Sequence, residues 1–303
     1  MSRRLALAAV VMSAACFGTL GVLASLAYRE GMQPLPLLAW RFALVAVLMG
    51  GIQALKDPSA LRAGVKDWWR YAALSITGYG AASVCYFFAL KHASASIVAV
   101  LLYSYPAIVA GLSAAFLHER MTAARVAAIA LTAAGCAFVV QAFSPGARAS
   151  AAGIALGLGA GLGYAVFNVL SYRWLPGRSR LVLMTYTFAI SGVAIAVLCL
   201  LTGQDLSPAG WNAVGWWLLI AIVAVPTVIA VLLYLGGIRR LGASQAAIIS
   251  TTEPLFTIAF AAAVLNERLT LLQGLGAALV LAGVVLAEMR GGGGAAPDEL
   301  ASV

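Results

Sequence analysis

Few side chains in this sequence could do ionic or acid–base chemistry away from its ends and connections. Glu253 stands in TTEPLF near the middle of one apolar run, and Arg41 stands in AWRFALV about two turns into another. A carboxylate at that depth in hydrocarbon is costly, so Glu253 is a functional candidate. It could bind the amino group of a solute or take up a proton. Its competing role is that of a neutral acid hydrogen-bonded to a neighbouring helix. Arg41 also admits two roles, a side chain snorkelling to the outer interface and a guanidinium that binds a carboxylate.

Polar tips recur at helical spacing. Ser96, Ala99, Tyr103, Pro106, Ala110 and Ser113 form one small or polar stripe, with Tyr105 pointing instead to lipid or a neighbouring helix. Further stripes are Ser75, Tyr79, Ser83 and Tyr86, then Gly157, Gly161, Tyr164 and Asn168, then Thr227, Ala230 and Tyr234. Taken singly, each tyrosine is equally well a packed one with a satisfied hydroxyl. Taken together, tyrosines converging on a central cavity suit a small amphipathic solute. The candidate substrate-binding set is therefore Phe17, Tyr79, Tyr103, Tyr164, Asn168, Thr227, Tyr234, Thr251 and Glu253. Pro106 and Pro254 each remove a backbone donor mid-run, freeing the carbonyls of Leu102 and Ser250, and so mark a kink or a hinge.

Catalytic and metal chemistry find little support. An intramembrane enzyme would need paired carboxylates, a Ser/His or Cys/His constellation, or metal ligands at depth. His92 and His118 lie at the ends of apolar runs, and Cys16, Cys85, Cys136 and Cys199 form no cluster of metal-ligand spacing. No metal or cofactor is expected. The string GLGAGLG, from Gly157 to Gly163, follows no strand, so it reads as small residues that let helices approach closely rather than as a dinucleotide loop.

The elements that must position these residues follow from composition. Of 303 residues, 63% are hydrophobic and 10% are charged, with a mean hydropathy of +0.99. A soluble domain carries about 25% charged residues, so a soluble enzyme is excluded and a polytopic membrane protein is expected. Apolar runs give ten spans, at 5–28, 34–55, 68–90, 94–117, 122–141, 151–172, 180–202, 211–235, 243–265 and 270–288. The first run, although it begins like a leader, continues past Cys16 and reads as a membrane span. The longest connection is the polar stretch from Lys56 to Asp67, and the Gly-rich, then acidic, tail 291–303 is expected to be disordered.

Placing Arg3 and Arg4 in the cytoplasm puts fourteen basic residues on that side against four on the other, which favours both termini inside. The net charge of +9 thus marks cytoplasmic loops rather than a nucleic-acid surface. A shift of 148 residues aligns the segment from Trp68 with that from Trp216, with about 19 of 72 positions identical without a gap. The pairs include Tyr86/Tyr234, Pro106/Pro254, Glu119/Glu267, Arg120/Arg268 and Gly135/Gly283. Two halves of five spans, an odd number, must enter the membrane in opposite senses. The expected fold is all-α, with ten transmembrane helices in two inverted five-helix repeats, 1–143 and 150–290. Such architecture is typical of secondary transporters with a midplane site.

These motifs resemble a known family. A mid-helix proline followed by Glu-Arg-x-Thr and a Gly-rich fifth helix occurs in each half, as Pro106, Glu119, Arg120, Thr122 and Gly135 and as Pro254, Glu267, Arg268, Thr270, Gly274 and Gly283. Over nearly the whole chain the sequence is similar to the EamA-type branch of the drug/metabolite transporter superfamily. The resemblance implies a multi-pass exporter of amino acids or related metabolites in a bacterial inner membrane, with nucleobases, organic cations or drugs as alternative solutes. It leaves the coupling mode open between proton coupling and facilitated export, and the oligomeric state undecided. Arg41 has no arginine counterpart in the second half, where YTFAIS places Thr187 opposite it.

Overall fold

The computed structural model describes residues 2–89, 92–93, 98, 101–117, 121–139, 150–265 and 270–290. The first half contains α1 (Arg3–Arg29), α2 (Pro34–Lys56), a short α3 (Pro58–Val65), α4 (Trp68–Ala89), α5 (Tyr105–Phe116) and α6 (Ala123–Val139). The second contains α7 (Ala151–Trp174), α8 (Arg180–Leu201), α9 (Ala213–Leu241), α10 (Ala243–Ser250), α11 (Glu253–Leu265) and α12 (Leu271–Arg290). Among the described residues six helices, α1, α2, α4, α7, α8 and α9, are each long and apolar enough to cross a membrane alone. The chain is an all-helical, multi-pass membrane protein.

Equivalent sequences start their helices in the same way. Ser2 accepts a hydrogen bond from the amide of Leu5, and Ser150, 148 positions on, accepts one from Gly153. Thr122 and Thr270 cap α6 and α12 through the amides of Arg125 and Gln273. Each satisfies one of the donors that a helix start leaves orphaned. The Glu-Arg pairs 119–120 and 267–268, Ser96 and Ala99 of the fourth-span stripe, and the tail 291–303 lie outside the described residues.

Packing repeats the duplication. Helix α2 lies along α8, α6 along α12, α1 along α9 and α4 along α7. Between α6 and α12 the contacts are reciprocal: a Cβ on Gly135 would meet the Val280 amide at 2.7 Å, and one on Gly283 would meet the Thr132 amide at 3.1 Å. Thr132 and Val280 are themselves equivalent positions, so a pseudo-two-fold relation passes between these helices. On α7, Gly153 faces His92 and Ala93, Gly157 and Gly161 face Leu101, Leu102 and Ser104, and Gly163 presses on Gly78 and Ala82 of α4. Small residues thus bring backbones into contact where hydrocarbon offers no hydrophobic drive for helices to associate.

Leu271 at 84%, Val47 at 72% and Trp217 at 71% exposure belong to a broad apolar exterior, as a lipid-facing surface requires. Aromatic clusters close both ends. Trp40, Trp211 and Trp216 pack edge to face at one, with Trp40 Nε1 donating to the Leu206 carbonyl at 2.9 Å. Trp69 and Trp174 meet at 5.5 Å at the other. There Asp67 pairs with Arg70 at 2.7 Å and with Arg178 of the second half at 2.8 Å.

Three features depart from the expected spans. The polar stretch from Lys56 to Asp67 is not a bare connection, because Asp57 Oδ1 accepts from the amides of Ser59 and Ala60 and starts α3. The fourth span breaks at Tyr103–Ser104 and the ninth at Thr251–Thr252, each just before a Tyr-Pro or Glu-Pro pair. The third and eighth spans contain wide turns with i→i+5 bonding, Leu74–Tyr79 and Ala224–Ile229.

Candidate substrate site

The two wide turns determine where the interior polar groups go. In α4 the turn contains Gly78, whose φ of −108° and ψ of −115° lie outside the helical region, and closes on Tyr79. In α9 the equivalent position is Pro226, which has no amide to donate, and Thr227 follows. Thr227 Oγ1 donates to the Ile222 carbonyl at 2.7 Å, satisfying an acceptor of the wide turn. Such insertions occur often at functional sites.

Tyr79 and Thr227 converge on Arg41. The guanidinium is 3% exposed, and it donates from Nε to Thr227 Oγ1 at 2.7 Å and from Nη2 to the Tyr79 hydroxyl at 3.2 Å. It lies in the interior rather than at the interface, because two polar partners from opposite halves hold it there. Around Tyr79 stand Phe42, Phe188, Phe167 and Tyr164, with ring centroids 5.1–6.3 Å away. Phe42 and Phe188, aligned in WRFALV and YTFAIS, meet each other at 5.1 Å.

The broken spans supply the other side. Ser104 Oγ donates to the Leu101 carbonyl at 2.6 Å, and Thr251 and Thr252 donate to the carbonyls of Ile248 and Ile249 at 2.5 and 2.9 Å. Hydroxyls thus close the ends of the preceding turns, and helix restarts with the amides of Ala107 and Leu255 donating to Ser104 and Thr252. Pro106 and Pro254 sit in the first turn of α5 and α11, where a missing amide costs least. Tyr105 and Glu253, equivalent residues, each open a half-helix. Tyr105 is buried, and its hydroxyl donates to the Ala247 carbonyl of α10 at 3.0 Å, joining the halves.

Glu253 is half-buried at the start of α11, where a helix N-terminus favours negative charge. Among the described residues its carboxylate has neither a hydrogen bond nor an ion pair. It lies within electrostatic reach of the hydroxyls of Tyr79, Tyr86, Tyr103, Tyr105 and Tyr164. Tyr79 also accepts from Arg41, so the hydroxyl that holds the buried cation is one that the interior carboxylate acts on, and the two charges form no ion pair among the described residues.

The remaining candidates divide. Tyr103 and Thr251 lie buried in the breaks, and Phe17 is buried on α1 beside Gly18, which packs on the Glu253 carbonyl. Tyr164 stacks edge to face on Tyr105 at 4.9 Å. Asn168 and Tyr234 are fully engaged with each other, Tyr234 donating to Asn168 Oδ1 and Asn168 Nδ2 donating to the Tyr164 carbonyl. This pair fastens α7 to α9. Tyr105, Phe167 and Phe188 complete the aromatic wall and are not in the sequence-derived set. The signals for two of them were the alignment of Tyr105 with Glu253 and of Phe42 with Phe188.

Comparison with known proteins agrees with this architecture. Residues 4–141 and 151–289 each match the EamA-like transporter family. The chain is 26% identical over 272 residues to the "Uncharacterized transporter YcbK" of Bacillus subtilis, covering 88% of this chain and 87% of that one. It is 28% identical over 260 residues to "Uncharacterized transporter YyaM" of the same organism, covering 82% and 83%. An "Uncharacterized transporter" of Archaeoglobus fulgidus is 26% identical over 281 residues, covering 92% and 95%. A solved structure titled "Crystal structure of protein" shares the fold, with a TM-score of 0.80 at 20% identity over 95% of this chain and 98% of that chain. Matched along both halves, the chain belongs to the EamA-like transporter family of the drug/metabolite transporter superfamily, and it is a multi-pass membrane transporter.

Proposed function

We propose that the protein exports small amino acids or related metabolites across a bacterial inner membrane by alternating access. Both termini would be cytoplasmic, and the halves 1–143 and 150–290 would move against each other. The observation that supports the reading is a buried Arg41 held by Tyr79 and Thr227, together with an interior Glu253 that has no ion pair among the described residues. A zwitterion offers an ammonium to the carboxylate and a carboxylate to the guanidinium, and the tyrosines supply walls of mixed polarity. Glu253, without a partner among the described residues, also suits a proton carrier. A second reading, export of an organic cation, draws on the same carboxylate inside an aromatic wall.

The test is efflux from proteoliposomes preloaded with a panel of labelled amino acids, nucleobases and organic cations, with and without a pH gradient. Release confined to amino acids supports the leading reading, and release confined to cations replaces it with the second. Well-expressed Tyr103→Ala and Asn168→Leu variants with unchanged kinetics on a proven solute would remove the tyrosine-lined interior from the transport path.

A further inference from the structure

Away from the interior, a cleft of about 300 Å³ opens between the start of α8 and the end of α9, lined by Arg180, Gly236, Arg239 and Arg240. Among the described residues three guanidiniums line it and no carboxylate does. All three arginines are exposed, and none forms an ion pair among the described residues. Arg180 is held across the gap, donating from Nη1 to the Leu232 carbonyl at 2.8 Å, so the two helix ends are fastened together around the opening. Arg239 and Arg240 occupy the last turn of α9, where the helix dipole favours cations.

Position narrows the ligand. Both helices are apolar for the rest of their length, so the cleft sits where membrane spans emerge into the headgroup layer. On α9, Ile229, Leu233, Gly236 and Arg240 share one face at helical spacing, and Ile229 is 45% exposed. An apolar track therefore leads from the cleft towards the hydrocarbon. Planar guanidiniums bind phosphate oxygens in pairs, and basic pockets between transmembrane helices accept anionic lipid headgroups.

We infer that the Arg180–Arg239–Arg240 cleft is a binding site for the headgroup phosphate of an anionic phospholipid, whose acyl chain follows the Ile229–Leu233 face of α9. The site is separate from the substrate path and does not depend on which solute is carried.

The test is native mass spectrometry of the purified full-length protein in mixed micelles containing phosphatidylglycerol or phosphatidylcholine. The expected result is preferential retention of phosphatidylglycerol, weakened on the order of thirtyfold in Arg239→Gln/Arg240→Gln and about fivefold in Arg180→Gln. Arg62→Gln/Lys66→Gln, which removes two positive charges near α3 outside the cleft, should bind as the parent does. Equal loss in that control, or equal retention of both lipids, overturns the site. Displacement of the lipid by excess inorganic phosphate would overturn the lipid assignment in favour of a free anion.

Discussion

Tyr79 and Thr227 lie 148 residues apart at equivalent positions of the two halves, and both accept hydrogen bonds from the same guanidinium, that of Arg41. Replacing Thr227 by the isosteric Val leaves the Arg41 Nε–H and the Ile222 carbonyl without partners in a buried setting. Unfolding in detergent should show a loss of about 1–3 kcal/mol. Tyr79→Phe should cost less, because its bond to Arg41 is longer and the ring packing remains.

Glu253→Gln keeps the shape of the α11 start and removes its charge. For a zwitterionic or cationic solute, proteoliposome transport should show KM raised about tenfold or more, the equivalent of one charge-assisted hydrogen bond. The variant should also lose its response to an imposed pH gradient. A response equal to that of the parent would exclude Glu253 as the proton site.

Gly135→Ala and Gly283→Ala should each destabilise by about 1–3 kcal/mol, since each new methyl would lie under 3.0 Å from backbone of the facing helix. Gly111→Ala and Gly274→Ala, on α5 and α12 with open space at the added methyl, should be neutral or stabilising by up to about 1 kcal/mol. Thermal unfolding of the four variants would separate close approach from helix propensity.

Outside the membrane-spanning helices, the Ser59 hydroxyl, with the amides of Ala60 and Ser59, holds the Asp57 carboxyl below its ordinary value of 3.8. A carboxyl depressed on folding adds stability above its unfolded value, and that stability is lost as pH falls through the folded value. The start of α3 should therefore exchange its Ser59 and Ala60 amides faster below about pH 3.8, after correction for intrinsic rates, than above it. Ser59→Ala should move that onset to higher pH, as amide exchange across the titration would show.

Much of this fold is legible in the sequence. The long apolar spans among the described residues, the 148-residue repeat, the threonine caps at Thr122 and Thr270 and the close-packing glycines all depend on neighbours along one helix or on identity between halves. The wide turns at Leu74–Tyr79 and Ala224–Ile229 do not, because an i→i+5 insertion is stabilised by tertiary partners such as Arg41. The break at Thr251–Thr252 matters more. A continuous ninth helix would put Glu253 on the face of Ile249, Phe256 and Phe260, away from Thr251, but interrupting the helix resets that phase. The same interruption in the fourth span leaves Tyr105 buried against Ala247, where unbroken periodicity turns it to lipid or a neighbouring helix.

If the halves work by alternating access as proposed, the arrangement open to one side and its opposite are related by the pseudo-two-fold axis, with the two halves exchanging roles. Whatever the halves share contributes equally to both. A resting preference for one side of the membrane can then come only from residues whose counterparts differ, and Arg41 opposite Thr187 and Glu253 opposite Tyr105 are two such places. On that proposed cycle, the few charges of the interior would be among the weights that tip the balance.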